Sequence, residues 1–160
     1  MAINGYPAKK INELFGCFHV VVFSPEDLSL IKSGPARRRK FMDMEICQVD
    51  PVYLHDLQQY CKVLRQRNQL LKEIGRAPEK KETIFAWDAQ LVHYGVKVMK
   101  RRAEFVSRLQ KHTAGIHSSI THGEEALKIL YENAIAMDEN LFQRQLEKDF
   151  ARDQRYGSTS

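Results

Sequence analysis

At 160 residues, with 43% hydrophobic and 28% charged residues, the chain is long enough for one domain with a real core and too short for two of ordinary size. The longest apolar run falls far short of a membrane span and no signal-peptide pattern opens the sequence, so a cytoplasmic protein without membrane contact is expected. Cys17, Cys47 and Cys61 are odd in number and unpatterned, which points to reduced thiols rather than a disulfide frame; the net charge of +5 leaves a polyanionic partner open.

In chain order, Asn4-Gly5 is a hairpin-turn signal, and Val20-Val21-Val22-Phe23 has the β-branched and aromatic composition of a buried strand. Ser24 offers an N-cap, Pro25 suits the first helical position, and Glu26 and Asp27 favour the positive end of a helix dipole. Ser33-Gly34-Pro35 closes that short helix, and a second one starts with Arg37, Arg38, Arg39 and Lys40 in its first turns. Four cations there oppose the macrodipole, so they read either as a solvated turn or as a site for phosphate or an acidic partner.

Asp50-Pro51 opens a helix whose apolar stripe is Tyr53, Leu57, Tyr60, Leu64, Leu71 and Ile74, with Arg67 where the stripe needs another apolar residue. A cation there is expensive unless paired, and Asp88 and Glu104 are the candidate partners across a helical hairpin. After Gly75 and Pro78, a longer helix from Thr83 carries Ile84, Trp87, Leu91, Tyr94, Val98, Phe105, Leu109, His112 and Ile116 on one stripe. Beyond Gly123, Ala126 to Tyr131 alternates like a strand, and Asp138 to Arg155 is again amphipathic. The helices are expected at about 25–33, 36–48, 51–75 and 83–118. The fold class is α+β, mostly α: an antiparallel long-helix hairpin attached to a small β-sheet remnant.

Phe23-Ser-Pro-Glu-Asp-Leu28, followed by Gly34-Pro-Ala-Arg-Arg-Arg-Lys-Phe-Met-Asp43, resembles the block that marks the RecF family, bacterial recombination-repair proteins of the ABC/SMC-type ATPase class. The resemblance continues through Tyr53, Tyr60 to Lys72 and Arg155-Tyr156-Gly157. It implies a middle fragment: 1–23 as a piece of the ATPase-head sheet, 24–122 as the helical lobe, and 123–160 as a strand and helix returning to the head. It also implies an intact parent that binds ATP and Mg²⁺, binds DNA, forms an ATP-dependent homodimer, and works with RecR and RecO to load RecA at gapped DNA in replication, recombination and the SOS response.

The residues present carry no nucleotide chemistry of their own. No glycine is followed by lysine, as a phosphate loop requires, and no Leu-Ser-Gly-Gly-Gln-like signature occurs. Asp138-Glu139 after an apolar run suggests a metal-binding strand end, but Asp138 fits better as an N-cap. No catalytic residue is assigned, and the fragment is not expected to be an enzyme. Glu26 and Asp27 resemble the nucleotide-sensing Q-loop of related ATPases in position only, since no Gln stands there. His112, His117 and His122 are five apart, roughly 500° of helical rotation, which does not gather metal ligands on one face.

The basic helices are more informative. Lys97, Arg101, Arg108 and Lys111 form one helical stripe, with Lys100 beside it, and Lys62, Arg65, Gln69, Lys72 and Arg76 form another. Lys97 to Lys111 holds six cations and one acid, whereas Glu124 to Asp153 holds eight acids and four cations. A basic middle and an acidic tail place any DNA contact on the central helices, through phosphates rather than bases. The rival readings are a helical adaptor for an acidic protein and the lobe of another SMC-like ATPase head.

Overall fold

The computed structural model describes residues 2–3, 6–7, 22, 24–75 and 77–160. Short strands β1 (Ala2–Ile3) and β2 (Tyr6–Pro7) pair antiparallel, Ile3 opposite Tyr6, so the ladder brackets Asn4-Gly5 as the turn signal predicts. The strand expected at Val20 to Phe23 lies almost wholly outside the described residues, as do Cys17 and Arg76; Val22 alone is described, and it is not in a strand. The helices are α1 (Ser29–Lys32), α2 (Pro35–Val49), α3 (Pro51–Ile74), α4 (Ile84–Ile120) and α5 (Glu139–Tyr156). A 3₁₀ turn over Pro25–Leu28 leads into α1, and another over Pro78–Thr83 leads into α4. The chain divides into two compact units, Met1–Leu54 and His55–Ser160.

Helix starts follow the caps. Asp50 Oδ1 accepts from the backbone N–H groups of Val52 and Tyr53, both at 3.0 Å. Asp138 Oδ1 accepts from the Leu141 N–H at 2.9 Å, so this carboxylate is the N-cap of α5. In the first unit Asp27 Oδ2 reaches back to the Ser24 N–H at 2.8 Å, the return half of a capping box. The phenolic O–H of Tyr53 donates to Asp43 Oδ1 at 2.5 Å and joins α2 to the start of α3.

In the second unit α3 and α4 run antiparallel. Asp56 meets Lys97, Tyr60 meets Gly95 and Arg67 meets Asp88, so position falls along α4 as it rises along α3. α5 packs on this hairpin, and one apolar cluster joins Val63, Leu91, Val92, Val96, Phe142 and Leu146. A second, Leu70, Leu71, Ile74 and Ile84, sits nearer the hairpin turn. Val63, Leu70, Val92, Val96 and Val106 are buried although the expected stripes omit them, while Ile116, assigned to the core stripe, is exposed. The core is wider than one stripe because α5 covers a second side of α4.

Arg67 lies between the two apolar clusters and is fully buried, 0% exposed. Its Nε donates to Asp88 Oδ1 at 2.6 Å, and its Nη1 donates to Asp153 Oδ2 and to Thr159 Oγ1, both at 2.8 Å. The N–H and hydroxyl of Thr159 donate to Asn68 Oδ1, and the Ser160 N–H donates to Asp153 Oδ1. Of the two expected partners, Asp88 is correct; Glu104 is exposed and holds Arg101 instead. Asp153, counted in the sequence as part of an acidic tail, is the second counter-ion. Two carboxylates share one guanidinium, and burial pushes the Asp88 carboxyl above its usual range against the pull of Arg67.

The strand expected at Ala126–Tyr131 is not seen: among the described residues no strand pairs with it, and 125–133 carries no regular secondary structure. The local conformation explains why the pattern looked like one. Ile129, Tyr131, Asn133 and Ile135 are half-buried while Leu130, Glu132, Ala134 and Ala136 are exposed, the period-2 alternation of an extended chain. One rung of the missing ladder comes from a side chain, since Gln110 Nε2 donates to the Leu127 carbonyl and Gln110 Oε1 accepts from the Ile129 N–H. The segment is an extended strap along α4, with Ile135 reaching the core.

Three outcomes are expected. Arg67→Leu leaves Asp88 and Asp153 buried without a counter-charge, and chemical denaturation should show a loss of about 3–5 kcal/mol. Gly95→Ala improves helix propensity, yet its Cβ would stand 2.7 Å from Phe142 Cε1 and 3.3 Å from Tyr60 Cε2. It should therefore lower stability by about 1–3 kcal/mol, read as an earlier denaturation midpoint. The folded state holds the Asp88 proton more tightly than the unfolded chain, so this group's contribution to stability is greatest at low pH. That contribution declines as pH rises from the ordinary carboxylate value through the raised one. A series of melts across that window should show a flatter decline for Asp88→Asn than for the unaltered chain.

Candidate nucleic-acid interface

The cationic residues of α4 form one outward face. At about 100° per residue, Lys97, Lys100, Arg101, Arg108 and Lys111 fall within a sector of roughly 100°, opposite the buried Ile84, Asp88, Leu91 and Gly95. All five are exposed. Their charge is partly answered from within: Arg101 Nη1 holds Glu104 Oε2 at 3.0 Å, and Lys97 Nζ lies 3.8 Å from Asp56 Oδ1 and over the Tyr94 ring. Lys100, Arg108 and Lys111 have no acid within ion-pair distance among the described residues.

Lys62, Arg65 and Lys72 are likewise exposed on α3, opposite Val63, Arg67, Leu71 and Ile74. Because the buried faces of α3 and α4 look toward a common core, the two stripes turn away from each other. They do not merge into one continuous groove. Lys72 stays close to the molecule: its methylenes lie across Gly157, which adopts φ +63° to end α5, and a Cβ there would come within 2.7 Å of Lys72 Cγ.

In the first unit Arg37, Arg38, Arg39 and Lys40 are exposed in the opening turns of α2, behind the N-cap Gly34 and Pro35. Four consecutive helical residues point in four directions, so they form a collar around the helix rather than a face. Arg38 Nη1 turns back to the Ser33 carbonyl at 2.8 Å. Asp27 is occupied as a capping acceptor; the side chain of Glu26 lies outside what the structure describes. Among the described residues no group of His, Cys, Asp and Glu could hold a metal ion. His93 and His117 instead lie 3.7 Å and 3.8 Å from Glu139 and Glu125. No helix among them is long and apolar enough to cross a membrane.

Sequence reasoning missed Asp153, Asn68 and Thr159 because their contacts span 86 to 92 residues. A spacing pattern carries no signal over that distance.

This geometry defines a helical lobe, locked at its centre by a buried ion cluster and offering cations on its outer faces. No family profile matches the chain. It is 48% identical over 153 residues to the DNA replication and repair protein RecF of Agathobacter rectalis and 46% identical over 153 residues to that of Lachnoclostridium phytofermentans. Each match covers 96% of this chain and 42% of the relative. A solved structure described as the recombination mediator protein RecF with ATP in the RecFOR pathway is 34% identical, with a TM-score of 0.88, over 98% of this chain and 44% of that one. The chain is thus RecF-like along nearly its whole length, and it spans about two fifths of the curated relatives it matches.

Proposed function

We propose that this chain is the helical lobe of a RecF-like DNA repair protein and that the outward face of α4 contacts the DNA backbone. The observation that carries the reading is the sector of five exposed cations on α4, on a fold that matches RecF. Backbone contacts of this kind position a protein without reading sequence. In this reading β1, β2 and the Val20–Phe23 segment belong to the sheet of an ATPase head. Segment 123–160 begins the return to that head, with α5 completing the lobe core on the way. ATP and Mg²⁺ chemistry belongs to parts of the intact parent outside this chain. An ATP-dependent homodimer, RecR-like and RecO-like partners, RecA loading and a cytoplasmic location likewise belong to that parent. The collar Arg37, Arg38, Arg39 and Lys40 and the α3 face Lys62, Arg65 and Lys72, together with Arg76 outside the described residues, are secondary contacts for DNA or an acidic partner.

Fluorescence anisotropy with labelled duplex DNA at several salt concentrations tests the reading. Affinity should lie in the non-specific range, of order 10⁻⁴ to 10⁻⁶ M, and fall with salt. Arg101→Ala with Arg108→Ala should flatten the log–log slope by roughly two units and leave base preference unchanged. An unaltered slope in the double variant would overturn the α4 assignment.

A further inference from the structure

The sequence from Glu124 to Asp153 carries twice as many acids as cations, yet folding separates them by face. On α5, Phe142, Leu146 and Asp153 are buried. At about 100° per residue, Arg144, Lys148, Arg152 and Arg155 fall within a sector of roughly 80° on the opposite side. The acids of the helix lie elsewhere: Asp153 is buried on Arg67, Asp149 is half-buried, Glu147 lies on one flank, and Glu139, at the helix start, falls on the side away from the cations. All four cations are exposed. Arg152 has a single ion pair, with Asp149 at 3.3 Å, and among the described residues Arg144, Lys148 and Arg155 have no acid within ion-pair distance. The α4 face, by contrast, carries Glu104 in its middle.

The cations recur at intervals of four, four and three residues, one charge about every 6 Å along the helix at 1.5 Å rise per residue. Such a row fits a polymer of regularly spaced anions better than a single small ion. At the end of the row stands Tyr156, 71% exposed, at the point where Gly157 turns the chain away from the helix axis. An uncovered aromatic ring next to a line of cations is the pairing that holds single strands, with phosphates on the cations and a base on the ring. A duplex keeps its bases stacked inside and would leave the ring idle.

We infer that the outer face of α5, Arg144, Lys148, Arg152 and Arg155 with Tyr156, is a docking surface for single-stranded DNA, distinct from the α4 face. It rests on the proposed function only in taking DNA as the polyanion.

The test uses the whole chain, a labelled oligo-dT, a labelled duplex and a labelled poly-glutamate peptide, read by anisotropy across salt. Arg144→Ala, Lys148→Ala and Arg155→Ala together should flatten the single-strand slope by about two units, from −0.7 per contact. Tyr156→Ala should weaken oligo-dT binding roughly five- to hundred-fold and leave duplex binding unchanged. All four positions are exposed, so melting temperatures near that of the unaltered chain identify a loss of binding that is not unfolding. An unaltered single-strand slope in the triple variant overturns the inference. If the α4 double variant alone loses its slope, the proposed function stands without this surface; if neither variant changes, both fall. Poly-glutamate binding as tightly as oligo-dT, with no response to Tyr156→Ala, would assign the face to an acidic protein and also overturn it.

Discussion

Arg67 is the constraint on which the larger unit depends. A guanidinium with no exposure cannot be left unpaired in an apolar core, because the desolvation cost far exceeds the cost of any side-chain rearrangement nearby. Its planar fork accepts partners only in set directions. Asp88 comes from α4, Asp153 from α5, and Thr159 from the segment that follows. One side chain of α3 therefore fixes the register of two other helices and the path of the chain after them. Apolar residues of the same volume would fill the space, but they would not distinguish one sliding register from the next.

The apolar clusters on either side make this arrangement possible. Val63, Leu91 and Leu146 exclude water on one side, and Leu70, Leu71 and Ile84 do so on the other. Low polarity raises the stakes in both directions: satisfied bonds strengthen, and a missing one becomes costly. Gly95 contributes by absence, letting the Phe142 ring and the Tyr60 ring approach the α4 backbone. Close approach of α5 brings Asp153 within reach of Arg67. Packing and ion pairing are here one construction.

The same packing sorts charge. Each of α3, α4 and α5 turns its apolar and ion-cluster residues inward and most of its remaining cations outward. Charge summed over a stretch of sequence therefore says little about the surface that stretch presents. A relative spanning more than twice this chain's length has other surfaces to cover or extend these faces, while the lobe keeps its own core within 55–160.

Much of the architecture was legible in the residues themselves. Asp50-Pro51 and Asp138 act locally, through bonds that reach two or three residues, so these helix starts could be read without knowing what packs where. The 3.6-residue stripes gave α3 and α4 and, with them, the hairpin. Arg67 stood out because it broke a stripe, and the expected hairpin offered Asp88 and Glu104 as partners, of which the structure keeps Asp88. The second face of α4, which buries Val92 and Val96, the pairing of Arg67 with Asp153, and the strap at 124–138 were decided by tertiary structure. Extended local conformation is written in alternation, but a ladder needs a neighbour that local sequence does not name, and here the Gln110 amide supplies the only rung seen among the described residues. Patterns of three and four residues are fixed by the geometry of the backbone, whereas partners some ninety residues apart are fixed only when the chain closes around them.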